Sequence, residues 1–125
     1  MTSVENLVNR YVAVWNEPDP ARRRQAIAAL WTEDAAHFTP SLEARGHEAI
    51  EARVTGAHDR FVRAEGYVFS AAYSGAGHHD AATFSWEMRP AGGGPVAARG
   101  FHFFVLGDDG RIRRDYQFAE PVPPA

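Results

Sequence analysis

The 125-residue chain contains neither cysteine nor lysine. Without cysteine the protein can form no disulfide bond, no thiol nucleophile and no cysteine-ligated zinc site. Without lysine side chains it cannot use the lysine Schiff base of many carbonyl-processing enzymes. All 13 basic residues are arginines, and 16 acidic residues give a formal net charge of -3. This charge disfavours broad binding to nucleic acid or to anionic membranes, so we expect neither as a partner.

Long hydrophobic runs are also missing. No stretch approaches the ~20 apolar residues of a membrane-spanning helix, and residues 1–5 lack the basic region and apolar run of a secretory signal. We therefore expect a cytoplasmic protein. With 45% hydrophobic residues, the chain has a globular composition and is long enough for one core but not two. We predict a single domain over residues 1–120, followed by a proline-rich tail at 121–125.

The N-terminal third of the chain shows helical periodicity. Thr2 and Glu5 have the spacing of a capping box, and the apolar residues that follow predict a helix to about Asn16. The pair Asp19-Pro20 predicts the N-cap and first residue of a second helix. Apolar spacing places Trp31 on the buried side of this second helix.

A short strand and a third helix are predicted next. The strand covers residues 35–40 and ends at a proline, and a loop leads to the helix that opens near Gly46. The run Arg22-Arg23-Arg24 is interpreted as a solvated helix face rather than a phosphate site, since the net charge is acidic. The pair His58-Asp59 is likewise interpreted as a surface group.

Beyond residue 66 the apolar period changes from 3.6 to 2 residues, which predicts strands. Glycine-rich segments, including residues 74–77, separate these strands. The predicted strands cover residues 67–69, 81–88, 96–106 and 111–118. Helices followed by antiparallel strands are typical of the α+β class.

The last two strands are predicted to form a β-hairpin around the turn Gly107-Asp108-Asp109-Gly110. A four-residue loop would place His102 directly opposite Asp115, whereas a three-residue bulged turn would place Tyr116 opposite His102. The sequence leaves both registers open. A carboxylate beside an imidazole orients the ring and favours its charged form, so the first register would create an acid/base pair.

The outgoing strand of this hairpin is apolar on both faces. Phe101, Phe103 and Val105 alternate on one face, while His102 and Phe104 lie on the other. Helices can cover only one face of the sheet. We therefore expect a second copy of the chain to cover the other, which gives a homodimer through the outer sheet face.

Four motifs carry a resemblance to a known family. They are Asn9-Arg10-Tyr11-Val12-Ala13, Leu30-Trp31-Thr32-Glu33-Asp34-Ala35, Gly46-His47-Glu48-Ala49-Ile50 and Asp109-Gly110-Arg111-Ile112. With them, nearly the whole chain resembles the nuclear transport factor 2-like superfamily, in particular its SnoaL-like polyketide cyclase and ketosteroid isomerase branches. The resemblance implies a cone-shaped α+β fold, in which a strongly curved antiparallel sheet wraps around N-terminal helices and leaves an apolar pocket. It also implies that the chain dimerises through the outer sheet face.

The resemblance transfers functional residues only in part. The oxyanion-hole tyrosine of the isomerases falls on Tyr11, but their catalytic aspartate falls on Thr39, which cannot abstract a proton at neutral pH. Their second oxyanion-hole acid falls on or next to His102. The cyclase branch uses a pocket aspartate, for which Asp115 is the candidate.

The candidate catalytic residues are therefore His102, Asp115 and Tyr11. Each could also have a structural role, as a hydrogen-bonded or core residue. The candidate ligand-binding residues are Trp15, His37, Thr39, Phe84, Trp86, Met88 and Phe104. No metal site is predicted at His78-His79-Asp80, because adjacent strand residues point to opposite faces.

Two functions fit these residues. The first is acid/base chemistry of the isomerase, cyclase or hydratase type on a small, apolar, ring-containing molecule, with no metal or other cofactor. The second is a non-catalytic module that binds a small hydrophobic molecule or serves only to dimerise.

Overall fold

The computed structural model describes residues 3–122. Its first two helices each begin with an N-cap side chain that accepts a backbone hydrogen bond. Helix α1 (Val4–Asn16) has Ser3 as its N-cap, and the Ser3 hydroxyl accepts a hydrogen bond from the backbone N–H of Asn6. The predicted cap Thr2 lies outside the described residues. Helix α2 (Pro20–Leu30) begins as predicted, with the Asp19 carboxylate accepting from the N–H of Ala21.

Helix α3 (Gly46–Ala57) continues directly into a π-helical segment (His58–Arg63). Gly46 has a φ of 82°, a left-handed conformation that glycine adopts without steric cost. His58 is only 4% exposed, so its prediction as a surface group is wrong. The π-helical turn directs this ring into the protein interior.

The segment after α2 differs most from the prediction. Strand β1 (Trp31–Thr39) starts at Trp31, whose side chain is fully buried, so this residue begins a strand rather than completing a helix. Strand β2 (Leu42–Arg45) pairs antiparallel with β1 where a loop was predicted. Pairing with β1 holds β2 in the sheet, although its sequence lacks a clear apolar alternation.

Four longer strands complete one six-stranded sheet. They are β3 (Tyr67–His78), β4 (Ala81–Pro90), β5 (Ala98–Leu106) and β6 (Ile112–Glu120). The strand order is β2-β1-β6-β5-β4-β3, with β1 parallel to β6 and the other neighbours antiparallel. The predicted α+β class is confirmed, but the sheet is mixed rather than purely antiparallel and is open, with β2 and β3 at its edges.

Strand β3 runs through the glycine-rich segment that was predicted as a loop. Its pairing with β4 shifts between Ala71 and Tyr73 and again between Tyr73 and Ala76. Gly75 lies at the second shift with a φ of 85°, and a Cβ there would lie 1.5 Å from the carbonyl oxygen of Thr83. Only glycine fits this bulge, and bulges of this kind bend a strand.

The three helices pack on one face of the sheet and enclose the core. A buried arginine, Arg23, joins them: its guanidinium donates to the backbone oxygen of Glu17 at 2.7 and 3.1 Å and to the Thr55 hydroxyl at 3.1 Å. Arg23 is 2% exposed, so the arginine run is not a uniformly solvated face. No helix among residues 3–122 is long and apolar enough to cross a membrane.

Candidate active site

A cavity of about 340 Å³ opens between the helices and the concave face of the sheet. Its walls are mainly apolar and aromatic, with a few polar groups. The lining residues are Tyr11, Val12, Trp15, Arg53, Ala57, Arg60, Phe61, Phe69, Phe84, Trp86, Met88, Ala98, His102 and Gln117. Few polar groups in an apolar wall are typical of small-molecule sites.

The hairpin that carries His102 has neither of the predicted registers. His102 pairs with Gln117, and Asp115 pairs with Phe104, because the register shifts next to the turn between Val105 and Leu106. His102 and Asp115 are therefore diagonal neighbours on the inner face of the sheet. Diagonal neighbours lie within reach of long side chains, and the His102 Nδ1 and Asp115 Oδ1 atoms are 2.6 Å apart.

The Asp115 carboxylate is completely buried and accepts hydrogen bonds from three side chains. Oδ1 accepts from His102 Nδ1, while Oδ2 accepts from the Tyr11 hydroxyl at 2.5 Å and from His37 Nδ1 at 2.8 Å. Burial acts to raise the pKa of Asp115, but the charges and hydrogen bonds of His102 and His37 outweigh it and hold this pKa well below its usual value. The carboxylate is thus ionised, and it cannot supply a proton at neutral pH.

The hydrogen bonds fix the orientation of both imidazoles. Each ring directs Nδ1 to the carboxylate, an assignment that places the proton on Nδ1. His37 Nε2 then accepts from Nε of Arg53 at 3.5 Å. His102 Nε2 has no hydrogen-bond partner within residues 3–122, and His102 lines the cavity. Nε2 of His102 is the ring nitrogen left for a bound molecule.

Tyr11 contacts two members of this network. Its hydroxyl donates to Asp115 and lies 3.3 Å from Nδ1 of His102. Burial, together with the nearby Asp115 charge and hydrogen bond, raises the pKa of Tyr11 well above its usual value. The phenol therefore stays protonated, and its proton is directed at the carboxylate.

Arg53 is a cavity residue that the sequence interpretation missed. It lies half-buried on α3, with its guanidinium carbon 5.4 Å from the centre of the Trp15 ring. Burial lowers the pKa of Arg53, and the neighbouring Tyr11 and Asp115 oppose that change. Helical spacing places Arg53, Ala57 and Arg60 on one face, but the sequence does not show that this face meets the cavity.

The predicted aromatic wall lies along β4. Phe84, Trp86 and Met88 all line the cavity, as does Trp15 from α1. Gly100 on β5 leaves room for the Trp86 ring, because a Cβ at Gly100 would lie 2.4 Å from that ring. The absence of a side chain at Gly100 therefore allows the Trp86 indole to lie against the sheet.

Three predicted ligand-binding residues occupy other positions. His37 contacts Asp115 behind the cavity wall, since β1 pairs it directly beside that residue. Phe104 is fully buried in the core, with its ring centre 4.9 Å from that of Tyr11. Thr39 lies at the end of β1 and accepts a hydrogen bond from the N–H of Ser41. Neither Thr39 nor Phe104 belongs to the wall of this cavity.

The described part of the chain has no group of three or more acidic or histidine side chains arranged to hold a metal ion. His78 and His79 are exposed, with their Nδ1 atoms 3.0 Å apart.

Comparison with known proteins identifies the family. The family model of the SnoaL-like domain matches residues 8–115. No curated protein sequence matches this chain. Among solved structures, a provisionally named isomerase of the SnoaL-like family from Agrobacterium tumefaciens is 30% identical, with a TM-score of 0.87 over 97% of this chain and 100% of that one.

Two further structures share the fold at lower identity. A provisionally named polyketide cyclase from Sinorhizobium meliloti is 19% identical, with a TM-score of 0.67 over 90% of this chain and 94% of that one. A SnoaL-like protein of unknown function from Burkholderia thailandensis is 16% identical, with a TM-score of 0.71 over 94% of each chain. Since the family model spans most of its length, this chain belongs to the SnoaL-like family.

Proposed function

We propose that this protein is an acid/base catalyst that moves a proton on a small, apolar, ring-containing molecule, with His102 as the acid/base group. The observation that carries the proposal is the 2.6 Å hydrogen bond between His102 and the buried Asp115 at the wall of the cavity. An imidazole held by a carboxylate at Nδ1 presents Nε2 to a substrate as a proton acceptor.

The other members of the network position this pair. In the proposed reaction, Nε2 of His102 removes a proton from a carbon next to a substrate carbonyl, which leaves an enolate and an imidazolium. Asp115 balances the new positive charge across its hydrogen bond to Nδ1. Tyr11 and His37 donate to the other carboxylate oxygen and so fix its orientation.

Arg53 and Arg60 give the cavity wall a positive charge, which favours the anionic enolate over the neutral ketone. Return of the proton from the imidazolium to a different carbon completes an isomerisation. Alternatively, the enolate carbon attacks a second carbonyl of the same molecule and closes a ring, and the alkoxide that forms takes the proton from the His102 imidazolium. Structural relatives provisionally named as an isomerase and as a polyketide cyclase support this range of reactions.

One observation favours the second candidate, a binding module without catalysis. Asp115 is already satisfied by three protein donors, which is what a purely structural network would require. Such a network would position His102 without any proton transfer to a ligand.

Deuterium exchange distinguishes the two candidates. The probe is β-tetralone, a bicyclic ketone with an acidic carbon next to the carbonyl, incubated in deuterated buffer and followed by NMR. We expect the protein to accelerate exchange, and His102→Gln and Asp115→Asn each to reduce the acceleration by about 10²- to 10⁴-fold. The double variant should lose little more, because the two residues act together.

The control is His78→Gln, which changes an exposed histidine outside the cavity and should leave exchange unchanged. If β-tetralone binds but the parent protein gives no acceleration, or if His102→Gln retains it, the acid/base proposal fails and the binding module is favoured.

We also propose that the protein forms a homodimer through the outer face of the sheet. Phe103 and Phe118 are 37% and 52% exposed, and the rings of Phe101 and Phe118 lie 6.3 Å apart on this face. The stacked rings of Phe38 and Tyr116 extend the same apolar surface. A surface of this kind is more often an interface than free in solution.

A further inference from the structure

We propose that the natural ligand of the cavity carries a carboxylate, which Arg53 binds as an ion pair with Arg60 nearby. The inference rests on the proposed function, because it concerns the ligand of the same site. It narrows the proposed ligand from any small ring compound to one whose apolar ring carries a carboxylate.

The first observation is the incomplete coordination of Arg53. A guanidinium has five N–H donors, but Arg53 makes a single hydrogen bond within residues 3–122, at 3.5 Å to Nε2 of His37. Its guanidinium also lies over the face of the Trp15 ring. The side chain is half-buried and lines the cavity, so its remaining donors are available to a molecule bound there.

Several other arginines of the described chain have carboxylate partners, unlike Arg53. Arg24 and Arg111, for example, bind the carboxylates of Glu51 and Asp109 at 3.1 Å and 2.6 Å. No carboxylate lies within 4.0 Å of Arg53 in the described residues. A half-buried arginine with no carboxylate in contact is costly, because Asp115 acts on it only from a distance, and a ligand anion would supply a contacting charge.

The second observation is the sign of the charge at the cavity. Arg53 and Arg60 both line it, and the wall contains no aspartate or glutamate from residues 3–122. Arg60 lies on the π-helical segment with its guanidinium carbon 4.9 Å from the centre of the Phe61 ring, and it too has no carboxylate partner in the described chain. The nearby carboxylate, Asp115, is buried behind the wall and accepts from Tyr11, His37 and His102.

The shape of the cavity selects a carboxylate attached to a ring. Phe84, Trp86 and Met88 form an apolar surface opposite the arginines, which suits a flat ring and disfavours a compact, strongly hydrated anion such as phosphate. The planar fork of Arg53 matches a carboxylate in a bidentate arrangement. Arg53 is then the residue that selects and orients the ligand.

The experiment compares two probes of the same shape, naphthoate and its neutral carboxamide, naphthamide. Binding is measured by calorimetry on the full chain at two ionic strengths. We expect naphthoate to bind at least about tenfold more tightly than naphthamide at low salt, and its affinity alone to fall as salt is added. Arg53→Gln should abolish the preference, whereas Arg53→Lys should keep part of it.

The matched control is Arg22→Gln, which removes an exposed arginine of α2 outside the cavity and should leave the preference intact. Circular dichroism confirms that each variant is folded, and Arg60→Gln provides a second variant that should weaken the preference by itself.

Equal binding of the two probes, absence of naphthoate binding at millimolar concentration, or an undiminished preference in folded Arg53→Gln would overturn the proposal. The probes do not react, so this result is independent of catalysis. A carboxylate preference with no proton exchange on β-tetralone would contradict the acid/base function alone.

Discussion

Asp115 is a completely buried carboxylate whose neighbours favour its ionised form. Because His102 and His37 hold its pKa below the unfolded value near 3.8, the folded protein binds fewer protons at this carboxyl than the unfolded chain does. The resulting stabilisation is present above that unfolded pKa and is lost as the pH falls below it.

We therefore expect Asp115→Asn to lower the free energy of unfolding by about 3 kcal/mol at neutral pH, as removal of one partner from a buried pair does. Between about pH 5 and about pH 3 the parent should lose more stability than the variant, so the difference should narrow. Urea unfolding at several pH values measures both effects, and parallel pH profiles would contradict this account.

At the residue scale, the sequence correctly identified three residues of the network but not the strand register that brings them together. Tyr11, His102 and Asp115 do meet, although both registers proposed for the hairpin were wrong. The shift between Val105 and Leu106 depends on how the turn closes against its neighbours, and no residue type marks it. Arg53 was missed because an arginine on an amphipathic helix usually lies in solvent, and only the packing of α3 on Trp15 turns it inward.

At the scale of elements, the π-helical segment contains a buried histidine without a hydrogen-bond partner in the described chain. Both ring nitrogens of His58 are buried, and Nδ1 is 3.8 Å from Asp59, which is too far for a hydrogen bond. Burial and the positive charge of Arg23 lower the pKa of His58, against a smaller opposing effect of Asp59. The unfolded chain therefore binds more protons here, and stability declines as the pH falls below the unfolded pKa of about 6.5.

His58→Leu should raise the free energy of unfolding by about 1 kcal/mol at neutral pH, because it removes two unsatisfied polar atoms from the interior. It should also reduce the loss of stability between about pH 7 and about pH 5. Chemical denaturation at both pH values provides the measurement, with His78→Gln as an exposed control. An equal or steeper pH dependence in His58→Leu would show that this histidine is not the titrating group.

The predicted boundaries of helices and strands agree with the structure where a local interaction, such as a cap, sets them. Asp19-Pro20 began α2 as predicted, because capping is a local interaction. Trp31 was assigned to the wrong element, since its place in β1 depends on pairing with the distant Ile112. The glycine-rich loop proposed at 74–77 is a bulged part of β3, and Gly75 serves the bulge rather than a turn.

At the scale of the whole molecule, the α+β class followed from the order of helices and strands and from the resemblance to the family. The parallel pairing of β1 with β6 could not be predicted in this way. It joins segments about 80 residues apart, and no periodic pattern of apolar residues marks which distant strands pair. This pairing also brings His37 beside Asp115, so the complete network depends on the global topology.

The proposed homodimer makes Phe103 the most informative surface residue. Phe103→Glu places a charge in the centre of the outer sheet face and should convert a dimer into a monomer. If the apolar residues that remain on the exposed face associate non-specifically, the variant should aggregate instead. Light scattering at micromolar concentration measures the mass, and Gln25→Glu on the exposed side of α2 serves as the control. A parent protein that is monomeric under these conditions would contradict the proposal.

The central claim is that Asp115 holds His102 with Nδ1 protonated and Nε2 open to the cavity. Nitrogen-15 NMR of the histidine side chains tests it directly, with the His102→Gln spectrum used to assign the signals. The account predicts that the neutral His102 ring carries its proton on Nδ1, in a strongly deshielded N–H signal, and that Nε2 is unprotonated. A neutral His102 with its proton on Nε2 would contradict the account, since the ring would then have no free nitrogen facing a substrate.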